Sequence, residues 1–501
     1  MLKRMLNKAG HLFVVILALM TFTCTVSAET ITIESNVLDK ILKHQKVMEK
    51  KIKMLEKKSG ARKSAPDIKK KDMVYLKEDV DSISERLDKI ETKSILNRVT
   101  LSGDFRLKYE NFHYNNYKDP LTGLESDSNV DDIWTNRLRL NLKAEITDNL
   151  IFHGRLTTFK LWGDSNFNKT GNDIMYPSLP DTEGDIHLER AYVDWFVPGT
   201  PLSFTFGRLP TGEGPPNELK DFTTRKATWP KLLVDGEIDG IIANISLDKY
   251  TGLNNSMFRF VYSKFYQNYS KFQGIDLEDA RALTFAFETE VPGVKNSMFW
   301  LSYVKVLDVP ALTELPASYP LTVTNYPEDI GELDLYTGHL QFFNIANTGL
   351  DWFCSLSYLN INPVAKGTLL SNGVEYGLFG DSASGNLGST RKGYAVYSGL
   401  RYKLPVEALQ SPSIGIEYNH GTKNWTSMLS DGSGDLINKL GVNGDAYEIY
   451  YIQPVVKKHM FCRTGIVYMD YNHYNPMSIY GSQQDSDMSI TSMYFLVNVN
   501  F

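Results

Sequence analysis

The sequence predicts an all-β fold, a transmembrane antiparallel β-barrel of about sixteen strands, preceded by a short α-helical coiled-coil arm. Three observations predict it. From Val99 to Phe501 apolar and polar residues alternate with period two, the mark of strands with two different faces. The connections between these segments alternate long and short, as loops and turns do at the two ends of a barrel. After Ala28 no apolar run is long enough to cross a bilayer as a helix, and the mean hydropathy is -0.27. A spanning chain of this kind crosses with strands.

The chain opens with Lys3, Arg4 and Lys8, an apolar run from Leu12 to Met20 and the small-residue stretch Val26-Ser27-Ala28. This predicts an export signal over 1–28, cleaved after Ala28. The run is too short for a spanning helix, which needs about 20 apolar residues. Thr21-Phe22-Thr23 lack the small residue expected before a lipidated cysteine at Cys24, so lipidation is not expected. Cleavage takes the formal net charge from -6 to -9, which argues against a nucleic-acid partner. Cys354 and Cys462 then remain, far apart and without haem-attachment or zinc spacing, so no cofactor and no metal are expected. They read as small packing residues, with a disulfide as the alternative.

Residues 29–98 form the arm. Leu38, Ile41, Met48, Ile52 and Leu55 follow a heptad spacing, and Met73, Leu76, Val80, Ile83, Leu87 and Ile90 follow it more cleanly. A basic linker, Lys57 to Pro66, separates them. So narrow a stripe on so short a helix is marginal alone, which points to a partner helix. The expectation is a periplasmic coiled coil that makes the protein a homo-trimer; folding back on a hairpin mate or on the barrel is the alternative.

The barrel domain spans 99–501. On its first strand Val99, Leu101, Phe105, Leu107 and Tyr109 share one face, with Asp104, Arg106, Lys108 and Glu110 on the other. Ile133–Thr147 and Leu150–Trp162 follow across a tight turn, then segments ending at Phe196 and Gly207. Further strands are read near 238–247, 256–266, 280–291, 296–307, 333–344, 350–361, 393–404, 412–420, 444–453, 458–470 and 489–501. An even strand count leaves both barrel ends on the short-turn, periplasmic side. Many aromatics fall near strand ends, where interfacial girdles would place them. The final strand carries Phe501, Val499, Val497, Phe495 and Met493 on one face. It resembles the C-terminal signature strand of bacterial outer-membrane barrels, which implies a partnership with the barrel-assembly machinery.

Bases at mid-depth cannot face lipid without a cost of roughly 2 to 4 kcal/mol. Arg106, Lys108, Arg137, Arg139, Lys143, His153, Arg155 and Arg190, with Arg208 at the end of the fifth strand, are therefore expected to line the pore. Asp104, Glu110, Glu145 and Asp194 face them. The excess of bases leans to weak anion selectivity; mutual neutralisation across the wall is the equal alternative. The acidic surplus of the barrel domain lies largely in its long connections, which are expected to be solvated loops that can meet lipopolysaccharide through divalent ions.

The segments L-E-R-A-Y-V-D-W (Leu188–Trp195) and F-G-R-L-P-T-G-E-G-P-P-N-E-L (Phe206–Leu219) resemble the Ala-Tyr-Val-Asp strand and Gly/Pro-rich third loop of porin-like outer-membrane proteins. With Gly103-Asp104-Phe105-Arg106, the chain is more closely similar to a porin-like family catalogued as a domain of unknown function, with a signal peptide and a short coiled coil. The resemblance implies a third loop, Arg208 to Pro230, folded into the lumen, with Gly212, Glu213 and Gly214 at the constriction. It implies no catalytic residue. The function expected is a non-enzymatic porin in the outer membrane, a water-filled channel for passive diffusion of small hydrophilic solutes. The alternatives are a scaffold barrel housing a redox or other partner protein and, less favoured, an outer-membrane enzyme.

Overall fold

The computed structural model describes residues 98–501 apart from 119–124, 163–182, 222, 269–276, 316–320, 431–434, 457–458 and 476. The export signal and the helical arm lie outside the described residues.

Sixteen long strands form one closed antiparallel barrel. They are β1 (Val99–Lys118), β2 (Glu125–Thr147), β3 (Leu150–Leu161), β4 (Glu183–Phe196), β5 (Leu202–Leu209), β6 (Ile238–Ser246), β7 (Met257–Lys264) and β8 (Arg281–Thr289). Then come β9 (Ser297–Leu307), β10 (Gly331–Ile345), β11 (Leu350–Pro363), β12 (Arg391–Lys403), β13 (Ser413–Gly421), β14 (Asn443–Val456), β15 (Met460–Tyr474) and β16 (Ser489–Asn500). Each pairs with its neighbours in sequence, and β1 closes on β16 from Asp104↔Asn500 to Asn115↔Ser489. The strand count and most boundaries follow the alternation.

One expectation needs correction. Asn111 to Asp132 reads as a polar loop, but β1 and β2 continue as a paired ribbon through most of it, with register shifts at Glu110/Phe112 and Tyr114/Tyr117. Beyond the bond from the Trp162 N–H to the Trp134 carbonyl, β2 has no pairing on its β3 side among the described residues. On the β1 side Phe112 and Tyr114 stay buried and the alternation persists, whereas β2 is exposed from Ser126 to Asp132 and, with no burial to keep it, loses the pattern while the ladder continues.

The terminal strand shows why sequence and closure fit. Phe501 donates its backbone N–H to the Gly103 carbonyl and accepts from the Gly103 N–H, at 3.0 and 2.8 Å. A Cβ on Gly103 would lie 2.6 Å from the Phe501 ring and 2.4 Å from the Arg139 carbonyl. Glycine at the head of Gly103-Asp104-Phe105-Arg106 is thus what lets the seam close with an aromatic terminus laid over it.

The outer surface is apolar at mid-height, where Leu140, Leu156, Ile241, Phe285, Leu301, Leu356, Ile416, Ile449 and Ile466 are all exposed. A continuous belt of this kind suits hydrocarbon as its solvent. Aromatic pairs border it at both ends. Tyr109, Trp134 and Trp162 pack in series at the loop end, with ring centroids 4.9 and 5.1 Å apart, and Tyr303 packs on Tyr336 and Tyr418 on Tyr447 further round. Trp195–Phe204 and Phe342–Trp352 pair at the turn end. Cys354 and Cys462 are free thiols, on the outward parity of β11 and β15.

The interior has two unlike walls. Inward positions of β6 to β12 are largely apolar: Ile242, Val261, Ala286, Trp300, Val304, Leu333 and Leu359 are buried in one cluster with Trp229, Leu232 and Leu233. Those last three come from the connection 210–237, which folds into the barrel. Inward positions of β1 to β4 are mainly charged, and β13 to β15 add Glu417, Glu448 and Arg463 among apolar residues such as Tyr450, Phe461, Val467 and Met469.

Candidate functional site

Alternation sets the charged wall. On β1, Arg106 and Lys108 point inward because Phe105, Leu107 and Tyr109 take the outer face, and register places Arg106 opposite Arg137 and Asp104 opposite Arg139. One irregularity adds a carboxylate that parity would put in lipid. Arg155 pairs with Arg190, but the next pair is Leu156↔Leu188, so Glu189 is the extra residue of a bulge and turns inward beside Arg190.

Into this wall the inward loop inserts Glu213. Its carboxylate meets Arg137 and Arg155, each at 3.3 Å, and Arg139; Lys226 of the same loop lies 3.8 Å away. Arg139 also binds Glu189 at 2.7 Å, Arg155 binds it at 2.9 Å, and Arg137 binds Asp104 at 2.9 Å. Buried cations and anions therefore alternate in a connected network, the arrangement that offsets their desolvation. Burial alone would raise the Glu213 carboxyl, but Arg139, Lys226, Arg137 and Arg155 hold it well below the usual carboxylate range. Arg190 donates to the Gly212 and Lys226 carbonyls, both at 2.7 Å. Glu213 itself takes φ +63°, and a Cβ on Gly214 would come within 1.7 Å of the Trp229 carbonyl. Gly212, Glu213 and Gly214 are the pinned corner of the loop.

Across the lumen the loop is fixed again. A short helix, α1 (Glu218–Asp221), brings Lys220 between Glu417 of β13 and Glu448 of β14, at 2.9 and 2.7 Å, and 4.5 Å above the Tyr450 ring. Burial lowers the Lys220 amine to about 8 in spite of both carboxylates. Lys439, from a second inward connection between β13 and β14, bridges the same two glutamates, which outweigh its burial and raise it. Tyr397 and Tyr494 donate their hydroxyls to Glu417 and Glu448, at 2.7 and 2.6 Å. Further ties reach β8 through Arg225–Glu288 (2.5 Å), β10 through the Gln341 amide donating to Glu218 (3.0 Å), and β15 through Arg463–Asp221 (3.5 Å). The two inward connections also pair with each other, Val234 beside Met428.

What stays open is a cavity of about 80 Å³ on the charged side, bounded by β1, β15, β16 and the two inward connections. Seven bases and six acids line it among the described residues, from Arg106, Lys108 and Glu110 on the wall to Lys220, Lys231 and Asp435 on the loops.

Six of the expected pore bases, Arg106, Lys108, Arg137, Arg139, Arg155 and Arg190, are buried inside the barrel. Lys143 lies towards the turn end, half exposed and paired with Glu145. His153 is there too, stacked on Tyr192 and 3.2 Å from Asp194. Arg208 is a correction: it shares the outward parity of Phe206 and pairs at the strand end with Glu237 and Asp239, outside the cavity. The strand runs on to Leu209, and the inward Thr205 and Leu209 fix the parity that puts Arg208 on the opposite face. Missed altogether were Lys220, Asp435, Lys439, Glu417, Glu448 and Arg463. The inward parity of Glu417, Glu448 and Arg463 was available from their strands; the loop residues had no periodic signal.

A family model described as a protein of unknown function (DUF3373) matches residues 127–500. The chain belongs to this family. No curated protein matches it. Among solved structures, it is similar to OprB of Pseudomonas putida, with 12% identity, 82% of this chain and 96% of that one covered, and a TM-score of 0.44. The anion-selective porin from Comamonas acidovorans has 12% identity, covers 80% of this chain over 99% of its own, and scores 0.43. A loop L8 deletion mutant of OmpT, an outer membrane protein of Vibrio cholerae, has 8% identity, covers 81% of this chain over all of its own (100%), and scores 0.43.

Proposed function

We propose that this member of the DUF3373 family is a non-enzymatic outer-membrane channel of the porin type, passing small hydrophilic solutes through a narrow charged aperture. The observation that carries the reading is the cavity itself: inside a closed barrel with an apolar belt, opposed charges line an open space of about 80 Å³. Water and small ions are the natural occupants of so polar a space. A near balance of lining bases and acids limits selectivity to a weak preference for anions, and the small aperture limits solute size. The inward connections speak against the scaffold alternative, since they occupy the lumen a partner protein would need.

On this reading residues 1–28 are removed on export, the 29–98 arm stays in the periplasm and joins three copies, and lipopolysaccharide meets the outer loops. Purified, folded protein in planar bilayers should give discrete conductance steps far below those of a wide sixteen-strand pore, with a small salt-gradient reversal potential of anionic sign. Absence of any steps from folded protein would overturn the channel. Cross-linking that yields only monomer would overturn the trimer.

A further inference from the structure

Most bases of the charged wall have strand-borne partners, Lys108 among them with Glu110 at 2.7 Å, but two of them also meet a carboxylate borne by a loop. Arg106 and Lys108 are buried on the same face of β1, and the carboxylate that answers both is Asp435, at 3.4 and 2.8 Å, carried by the connection between β13 and β14. The cations have side chains 6% exposed, whereas Asp435 is 29% exposed towards the cavity. Lys231, from the other inward connection, lines the same space, as does Arg463. Burial would raise the Asp435 carboxyl, but Lys108, Arg106 and Lys231 hold it well below its usual range, so it sits there as an anion.

The opposite corner of this pocket lacks a donor. Glu110 is buried; one of its carboxylate oxygens takes Lys108 at 2.7 Å, and its Oε2 has no hydrogen-bond partner among the described residues while lining the cavity. A buried acceptor left open is costly unless something that visits the site donates to it.

We propose that this pocket is a binding site for small carboxylates that bear a neighbouring hydrogen-bond donor, α-hydroxy or α-amino acids of two to four carbons, and that Asp435 is a tethered stand-in which the solute carboxylate displaces. The solute carboxylate takes the place of the Asp435 oxygens against Arg106 and Lys108, and its hydroxyl or ammonium donates to Glu110 Oε2. The inference names the solute class for the channel proposed above and rests on that reading only for its transport consequence.

The test pairs two probes of equal charge and nearly equal size, lactate and propionate, titrated calorimetrically into the detergent-folded full chain. Lactate should bind about tenfold more tightly, the worth of one hydrogen bond to a charged group. Glu110→Gln should erase that preference, and Asp435→Asn should tighten both acids about tenfold by removing the internal competitor. Equal binding of lactate and propionate to the unaltered protein, or no binding of either, overturns the site, and this arm needs no variant to fold. Asp435→Asn indistinguishable from the parent overturns the displacement. Lactate binding without bilayer conductance would defeat the channel and leave the site standing; conductance unaffected by lactate, with no calorimetric signal, would do the reverse.

Discussion

The two walls of one lumen have been treated by the same loop in opposite ways. Along β6 to β12 the inward side chains are largely apolar, with Arg259, Glu288, His339, Gln341 and Asp351 among them, and the segment Ala227 to Val234 covers the apolar ones until Trp229 packs edge-on against Trp300, with ring centroids 5.1 Å apart. Along β1 to β4 they are mainly charged, β13 to β15 add Glu417, Glu448 and Arg463, and the segment from Glu213 to Lys226 meets these groups with charges of its own. Apolar surfaces gain by expelling the last water between them. Charged ones close only as far as their counter-charges reach, because every further step costs hydration. A polar cavity of about 80 Å³ therefore stays on the charged side, while the space left beside Trp229 is apolar and about 40 Å³.

The largest break in this contrast is Glu213→Ala. It leaves Arg137, Arg139 and Arg155 without their shared loop partner inside the barrel. Loss of one member of such a network costs about 3–5 kcal/mol, seen as a lower unfolding temperature. The freed bases should also turn a weak anion preference into a strong one by reversal potential. Next comes Trp229→Ala on the other wall, where a cavity beside Trp300 costs about 3–5 kcal/mol. Equal destabilisation with an unchanged reversal potential would confirm that this wall is packing alone; a shift in selectivity as large as that of Glu213→Ala would dissolve the distinction.

A change outside both walls serves as the reference. Gly103→Val drives a side chain into the Phe501 ring and the Arg139 carbonyl at the seam. Overpacking of this kind costs about 1–3 kcal/mol. It should slow barrel insertion, as removal of Phe501 should, while channels that do assemble keep their parental selectivity.

The barrel was legible because lipid enforces alternation: Leu138, Leu140 and Leu142 must face out, and Arg137 and Arg139 are then placed inside by geometry. The apolar wall was written just as openly, since Met298, Trp300, Val304 and Val306 alternate with the outward Phe299, Leu301 and Tyr303, a strand with no polar face. Such a strand asks for a cover, and Ala227-Thr228-Trp229-Pro230-Lys231-Leu232-Leu233-Val234 is apolar enough to be one. The salt-bridge partners were illegible for a different reason. Lys220, Lys439 and Asp435 sit in connections with no period, and only the folded path of the chain brings them to Glu417, Glu448 and Lys108. Glu189 was hidden by a bulge, which changes parity without changing composition.

The finest probe of the charged wall is pH, through Lys220. Its amine sits at about 8, below its ordinary 10.5, because burial outweighs Glu417 and Glu448. Between those two values the unfolded chain holds a proton that the folded chain has released, so this residue makes stability rise with pH across that window. Lys439 lies above its ordinary value and stays charged there, so it keeps both glutamates bridged while Lys220 turns neutral. The aperture should thus remain shut to larger solutes between pH 7 and 9.5 but lose one positive charge. Its anion preference should weaken by a small, reversible step in reversal potential centred near pH 8. Lys220→Gln should show the weaker preference at both pH values and no step. A step that survives in Lys220→Gln would assign the titration to another group, and the charged wall would then owe its selectivity to something other than the loop that spans it.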